Sequence, residues 1–303
     1  MYELIIIGGG PAGLAAGVYA ARKQLKTLLI SGDIGGQVNW TLGVENYLGY
    51  QFIEGAELID KFHEQASQYP IDQKIGEKVT KLDRIEDGFE ATSKSGEKYQ
   101  ARAIILATGK KPRKLNIPGE DIYTGKGVTY CSTCDGPVFS GQRVAVIGGG
   151  NSAIEAALDM VKIAEHVDLI SLTPLTGDEI LQDKLSNATN LNIYTEYQTE
   201  KFEGDDFVRG LSIKELKSGK SKKLKVSGIF VEIGLLPNSE LVNSLIKLNK
   251  AGEVPINCTC ETEMPGLYAA GDVTNAPEKQ IVIAAGEGAK AALQAQRYLQ
   301  RLS

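Results

Sequence analysis

The residues best suited to chemistry in this chain are Cys131 and Cys134, in the run Cys131-Ser132-Thr133-Cys134-Asp135-Gly136. Cysteines at this spacing lie on one face of a helical turn, close enough for an intramolecular disulfide, and a carboxylate follows the second directly. The pattern suits thiol–disulfide exchange: one thiolate attacks, the other resolves, and the neighbouring acid supplies or removes protons. A Cys-x-x-Cys pair also serves as half of a tetrahedral zinc site. The other thiol and imidazole groups are Cys258, Cys260, His63 and His166. They form no second pair of matching spacing, so no metal site is expected. The elements on either side of the pair decide the matter for redox.

Residues 2–7 form a short apolar run, as expected of a parallel strand buried on both faces. Gly8-Gly9-Gly10-Pro11-Ala12-Gly13 follows, then an Ala-rich helix to about Lys23 and a strand over 27–30. Strand, Gly-x-Gly-x-x-Gly turn, helix and strand make a dinucleotide-binding unit, whose glycines let backbone N–H groups approach a pyrophosphate at the helix N-terminus. The unit recurs: a strand over 143–147, the turn Gly148-Gly149-Gly150-Asn151-Ser152-Ala153, a helix over 154–163 and a strand over 167–170. Each copy is followed by a hairpin, turning at Ser95-Gly96 and at Ser218-Gly219, and then by an apolar strand ending in glycine. The first of these strands ends in Ala107-Thr108-Gly109 and the second in Gly234. This is an internal duplication, and it predicts two nucleotides. After Pro237 and Asn238 come a helix-like stretch, the return Ala269-Ala270-Gly271-Asp272, and a final helix over 287–299 preceded by Gln280 and Ile281. An Asp after a small-residue strand is placed to hold a ribityl or ribose hydroxyl. The expected fold is α/β, with two Rossmann-like domains of three-layer β/β/α type, the second inserted in the first. Crossings near 111–118 and 241–250 divide the chain into 1–113 and 245–303 for the outer domain and 114–244 for the inner one, which carries the redox pair.

Composition sets the outer limits. The chain has 303 residues, 42% hydrophobic and 23% charged, with a net charge of −5. These values describe a globular protein without the basic footprint of a nucleic-acid binder. The lysines between 214 and 225 alternate with apolar residues, as on the solvated face of a hairpin. The apolar run at the start is broken by Gly8, Gly9, Gly10 and Pro11, so it is no membrane span. Four cysteines make no disulfide scaffold, and a reducing, cytoplasmic setting is expected.

Taken together, the motifs resemble the low-molecular-weight thioredoxin reductase family over the whole chain. The stretches that carry the resemblance are Gly8–Gly13, Gly35-Gly36-Gln37, Val44-Glu45-Asn46-Tyr47, Ala107-Thr108-Gly109, Cys131–Pro137, Gly148–Ala153, Gly234-Leu235-Leu236-Pro237-Asn238, Gly271-Asp272 and Lys279-Gln280-Ile281. Gln182-Asp183-Lys184-Leu185 and Gly286-Glu287-Gly288-Ala289-Lys290 resemble its peroxide-linked branch, the flavoprotein subunits of alkyl hydroperoxide reductases, without their N-terminal thioredoxin-fold part. The resemblance implies FAD on the first unit, at Gly8, Gly10, Pro11, Ala12, Gly13, Gly36, Gln37, Asn46, Ala107, Thr108, Gly109, Gly271, Asp272, Lys279, Gln280 and Ile281. It implies a pyridine nucleotide on the second, at Gly148, Gly150, Asn151, Ser152, Ala153, Ser171 and Gly234. It further implies a homodimer, Cys134 as the sulfur next to the flavin, Cys131 as the one that attacks a partner's disulfide, and Asp135 as the acid that protonates the leaving thiolate. The last helix would point its positive end at the flavin. Rotation of one domain against the other would bring nucleotide and disulfide to the same flavin in turn.

The chain departs from that pattern at the second nucleotide. Family members that grip the 2′-phosphate of NADPH carry a His-Arg-Arg cluster and a further Arg, where this chain has Ser171, Leu172, Thr173 and Gly177. No Arg lies between Arg143 and Arg209. The acidic residue that would bind a ribose diol is replaced by Ser171. NADH is therefore expected in preference to NADPH, with ferredoxin as the next donor to consider. Cys258-Thr259-Cys260 reads as part of a strand, with both sulfurs as small buried hydrophobes. Trp40 either stacks near the flavin or packs its own loop. The acceptor implied is a small thioredoxin- or glutaredoxin-like protein; an NADH oxidase making hydrogen peroxide and a non-catalytic flavin sensor are the competing functions.

Overall fold

Leu4, Ile5, Ile6 and Ile7 are at most 3% exposed, because a parallel strand covered on both faces has no polar side. They open the computed structural model, which describes residues 1–41 and 43–302. The first part of the chain runs β1 (Tyr2–Gly9), α1 (Pro11–Arg22), β2 (Thr27–Ile34), α2 (Gly55–Ser67), β3 (Asp72–Ile75), β4 (Val79–Ile85), β5 (Gly88–Ser93) and β6 (Lys98–Leu106). The sheet order is β3-β2-β1-β6-β5-β4. Along that order the strands from β3 to β6 are parallel, and the β4–β5–β6 meander is antiparallel.

A short strand, β7 (Lys110–Pro112), leaves this domain. The inner part then runs α3 (Glu120–Tyr123), β8 (Val128–Thr129), α4 (Ser132–Asp135), β9 (Arg143–Ile147), α5 (Asn151–Ile163), β10 (His166–Ser171), α6 (Glu179–Leu185), β11 (Leu191–Thr195), β12 (Tyr197–Gly204), β13 (Val208–Glu215), β14 (Ser221–Lys225) and β15 (Gly228–Val231). Its parallel sheet has the order β11-β10-β9-β15-β8, and β12-β13-β14 form a separate antiparallel layer. One core lies between the parallel sheet and α5, with Val144, Val146, Ile154 and Met160; the other lies between that sheet and the antiparallel layer, with Ala145, Ile147, Leu211 and Ile213. This is the expected three-layer arrangement, made twice.

The chain returns through β16 (Leu235–Pro237), which pairs antiparallel with β7. The helix-like stretch expected after Asn238 is only a single 3-10 turn, Glu240–Val242. Val242 and Ile246 beyond it are buried with Ile5, Leu28 and Ile104, so this segment already belongs to the outer core. β17 (Leu267–Ala269) then adds to β6, and α7 (Ile281–Leu302) closes the domain. α7 begins at Ile281, ahead of the start at residue 287 that sequence suggests. Gly286 and Gly288 lower helix propensity there, but packing needs Gly288. A Cβ at Gly288 would stand 1.9 Å from the Ala12 carbonyl oxygen, so only glycine lets α7 cross α1 this closely.

Candidate active site

The redox turn grows out of β8. Cys131 has extended backbone and caps α4, its Sγ accepting the Cys134 N–H at 3.2 Å, while the Asp135 N–H donates to the Cys131 carbonyl at 3.1 Å. These bonds fold the segment into one helical turn, and Cys131 and Cys134 are joined as a disulfide with a Cα–Cα separation of 5.3 Å. Cys131 and Cys134 are half-buried and Thr133 between them is exposed, so the turn is within reach of a partner. Asp135 is only 1% exposed and accepts a hydrogen bond from the Thr129 hydroxyl. The same hydroxyl oxygen accepts the Cys131 N–H at 3.3 Å. Asp135 is thereby tied through Thr129 to the backbone of Cys131.

The second glycine turn lies next to it. Gly148 has a φ of +146°, and a Cβ there would lie 2.3 Å from the Glu232 carbonyl oxygen. The segment after β10 folds over the turn, with the Thr176 N–H donating to the Gly149 carbonyl at 2.7 Å and the Asp178 N–H to Asn151 Oδ1 at 2.8 Å. Ser171 is buried, its Oγ accepting the Thr173 N–H at 3.4 Å. A cavity of about 840 Å³ opens here, lined by Gly148, Gly149, Ser171, Leu172 and Thr173, and also by Lys111, Arg113, Lys114 and Trp40. Sequence does not assign these last four to this site, because they come from the crossing and from the outer domain. Lys184 is not in its wall. A smaller cavity of about 390 Å³ is lined by Gly148–Ser152, Glu232, Ile233 and Gly234.

Glu232 links the two features. Its carboxylate accepts the Ser132 N–H at 3.2 Å, inside the redox turn. Burial pushes its pKa up to about 7, against the hydrogen bonds from Ser132 and helped by Glu155. No local motif marks it.

The first glycine turn is closed in the same way. Gly8 has a φ of +116°, and Cβ atoms at Gly8 and Gly13 would stand 2.2 Å from the Ala107 carbonyl oxygen and 1.8 Å from the Gly8 carbonyl oxygen. Gly9 N–H donates to Ser31 Oγ at 2.8 Å, and Asn46 Nδ2 to Gln280 Oε1 at 3.1 Å. The Thr108 hydroxyl donates to the Asn238 carbonyl at 2.6 Å and Asn238 Nδ2 to the Thr108 carbonyl at 2.8 Å. Gly271 N–H donates to Glu287 Oε2 at 2.7 Å, and a Cβ at Gly271 would lie 3.0 Å from that of Ala12. Near Asp272, Lys110 Nζ lies 2.6 Å and Lys279 Nζ 3.6 Å from Glu253 Oε1. The stretches Gly8–Gly13, Ala107–Gly109 and Gly271–Ile281 therefore converge.

Comparison with known proteins decides the family. The model of the pyridine nucleotide-disulphide oxidoreductase family matches residues 2–289. The chain belongs to that family. It is similar to the F component of the alkyl hydroperoxide reductase of Escherichia coli strain K12, 45% identical over 305 residues, covering 99% of this chain and 58% of that protein. The chain thus spans less than two thirds of such curated relatives. Among solved structures it is similar to thioredoxin reductase from Streptococcus pyogenes MGAS5005, with TM-score 0.94, 34% identity and 99% of each chain covered. A Lactococcus lactis thioredoxin reductase in its FR conformation gives TM-score 0.70 at 35% identity, covering 99% and 100% of the two chains. Near-equal identity with unequal superposition means that the difference lies in arrangement rather than in sequence.

As a pyridine nucleotide-disulphide oxidoreductase the protein is a flavin- and nucleotide-dependent enzyme with a redox disulfide, and its residues fit the flavin. In the turn at Gly8–Gly13 a Cβ at Gly8, Gly9 or Gly13 would clash with the protein, whereas Gly10, at the N-terminus of α1, faces open space with only the Gly35 carbonyl oxygen at 4.0 Å. Burial raises the pKa of the half-buried Asp272 carboxyl, opposed by Lys279 and Lys110, and no hydrogen bond among the described residues offsets that burial. A ligand hydroxyl would. Among the described residues no cluster of His, Cys, Asp and Glu could hold a metal, and no helix is long and apolar enough to cross a membrane.

The remaining sequence expectations need adjustment. Cys258 and Cys260 are not in a strand. Asn257 builds a turn there, its Oδ1 accepting the N–H groups of Thr259 and Glu261 at 2.9 and 3.0 Å. The turn puts Cys260 at a φ of +63°. Cys260 is buried, its thiol raised by burial to about 11, whereas Cys258 is exposed. His63 and His166 are both half-buried: His63 bonds Gln73, and His166, the first residue of β10, bonds Asn192. Trp40 is 45% exposed and lines the cavity of about 840 Å³ beside Ser171.

Proposed function

We propose that this enzyme takes electrons from NADH and passes them through FAD and the Cys131–Cys134 disulfide to a small protein of thioredoxin or glutaredoxin type, working as a homodimer. The observation that carries the reading is the division of labour. The disulfide and the second glycine turn share one domain and meet at Glu232, while the flavin cradle is in the other.

In this reading FAD supplies a two-electron carrier between nucleotide and disulfide, and the chain supplies everything else. Gly8, Gly10, Pro11, Ala12 and Gly13 hold the flavin pyrophosphate at the N-terminus of α1. Asp272 takes a ribityl hydroxyl. Gly36, Gln37, Asn46, Ala107, Thr108, Gly109, Lys279, Gln280 and Ile281 border the ring system. Gly148, Gly150, Asn151, Ser152, Ala153 and Gly234 hold the nicotinamide nucleotide, with Ser171 at its ribose. Cys131 attacks the acceptor's disulfide, Cys134 resolves, and Asp135 returns a proton to the leaving thiolate, steadied by Thr129. The inner domain is read as 114–244, with 1–113 and 245–303 outside it, and its last residues from Val242 are buried with the outer core. The crossing is made by β7 paired with β16, a connection short enough to act as the hinge that presents nucleotide and disulfide to the flavin alternately.

The NADH preference is supported by Ser171, Leu172 and Thr173, which offer no cation to a 2′-phosphate. The test is anaerobic stopped-flow reduction of the bound flavin by NADH, NADPH and reduced ferredoxin in turn. Fast reduction by NADH is expected. Reduction by ferredoxin alone would remove the nucleotide from the reaction. Peroxide production undiminished in a Cys134→Ser variant that has lost disulfide reduction would make oxidase chemistry a side reaction.

A further inference from the structure

Glu232 carries out no step in the scheme above, yet it touches both halves of the inner site. Its backbone oxygen stands 2.3 Å from where a Cβ of Gly148 would be, and the residue shares the wall of the smaller cavity with Gly148–Ser152. Its carboxyl meets the Ser132 N–H at 3.2 Å on the redox turn. A pyrophosphate held by the glycine turn would enter that cavity with its negative charges beside this side chain.

We propose that Glu232 is a specificity-determining residue that gates the second nucleotide site by its own charge, admitting a pyrophosphate as the neutral carboxyl and repelling it as the carboxylate. The inference rests on the reading of Gly148–Ala153 as the nucleotide turn. Both forms of the carboxyl accept the Ser132 N–H, so the contact to the redox turn survives in either state. The charged groups around it are few. Glu155 on α5 repels the carboxylate. Asp135 on the redox turn is held by Thr129. Arg113, on the crossing, donates its backbone N–H to the Gly234 carbonyl at 3.0 Å, and a Cβ at Gly234 would lie 3.6 Å from its Cδ.

The midpoint of about 7 sets the window. Below it the site is open; above it, binding must bring a proton with it, and affinity falls by up to about tenfold per pH unit. By reciprocity, bound nucleotide raises the pKa of Glu232 further.

The experiment is calorimetric titration of the FAD-loaded protein with ADP-ribose, which carries the pyrophosphate but no reducible ring, between about pH 6 and pH 9 in buffers of different ionisation enthalpy. Wild-type protein is expected to show a flat Kd below about pH 6.5, a rising Kd above about pH 7, and uptake of about one proton per ligand near pH 8. Glu232→Gln is expected to bind with a flat profile and no proton uptake. The wild-type proton count stands without the variant, should that fail to fold. A flat wild-type profile, or the same slope in Glu232→Gln, overturns the gating role. Absence of ADP-ribose binding to either protein at any pH overturns the nucleotide reading itself.

Discussion

Arg113 and the segment 171–173 are both in the wall of the cavity of about 840 Å³, and the proposed function gives them different work. Arg113 lies against Gly234, which also lines the small cavity at the glycine turn. In the proposed function its charge would therefore serve the pyrophosphate common to both nucleotides. Ser171 ends β10, where a Rossmann unit meets the adenosine ribose. Hydrogen bonds to charged groups contribute roughly 1.5–3 kcal/mol, so Arg113→Ala should raise KM for NADH and NADPH alike, by about ten- to a hundredfold, without changing their ratio. Leu172→Arg with Thr173→Arg should change the ratio, improving kcat/KM for NADPH. Steady-state kinetics with both nucleotides check each outcome; a change in ratio from Arg113→Ala would relocate that side chain to the 2′-phosphate. A pH effect on stability belongs at this scale too. The Glu232 carboxyl titrates near 7 when folded and near its ordinary 4.5 when unfolded. Its raised folded value means that the folded state binds the extra proton. The protein is thus most stable with respect to this group at low pH and loses stability as pH rises from the unfolded value through about 7, by at most about 3 kcal/mol. Glu232→Gln should flatten that part of the Tm–pH curve.

Local grammar made the elements legible in sequence wherever local chemistry decides them. Both glycine turns, the disulfide turn and the strand cores follow from residues close together in the chain. Elements fixed by distant partners were less legible. Gly286 and Gly288 look like breaks in a helix until α1 is seen to pack against Gly288. Alternation at Cys258-Thr259-Cys260 looks like a strand until the Asn257 side chain is seen to build a turn. Glu232 and Arg113 carry no local signal, since Ser132 and the nucleotide cavity are reached only through the fold. The α1–α7 contact yields a test of its own. Gly288→Ala would put a methyl 1.9 Å from the Ala12 carbonyl oxygen, and overpacking of this kind costs typically 1–3 kcal/mol. Ala12 abuts Gly271 as well, so the same shift would disturb the flavin cradle. A lower Tm together with release of FAD on dilution is expected; unchanged flavin retention would separate helix packing from the cradle.

At the scale of the whole molecule, what matters is whether the two domains move during turnover. Trp40 reports on this directly. It is the one tryptophan in the sequence. It belongs to the outer domain but lines the cavity that holds Ser171, Leu172 and Thr173 of the inner one. Gly125 of the inner domain also lies beside it, with a Cβ there 3.5 Å from the Trp40 carbonyl oxygen. Any rotation about β7 and β16 must change what surrounds the indole. A rigid molecule would leave it alone unless nucleotide enters the cavity. Reduction of the Cys131–Cys134 disulfide without nucleotide should therefore shift Trp40 emission if the hinge responds to redox state. The Cys131→Ser, Cys134→Ser double variant, which has no disulfide to reduce, should show only the change that follows flavin reduction. Identical responses in the two proteins would mean that the disulfide does not govern domain position. Nucleotide binding alone would then have to drive the exchange, and titration with ADP-ribose at constant redox state would show the emission change in its place.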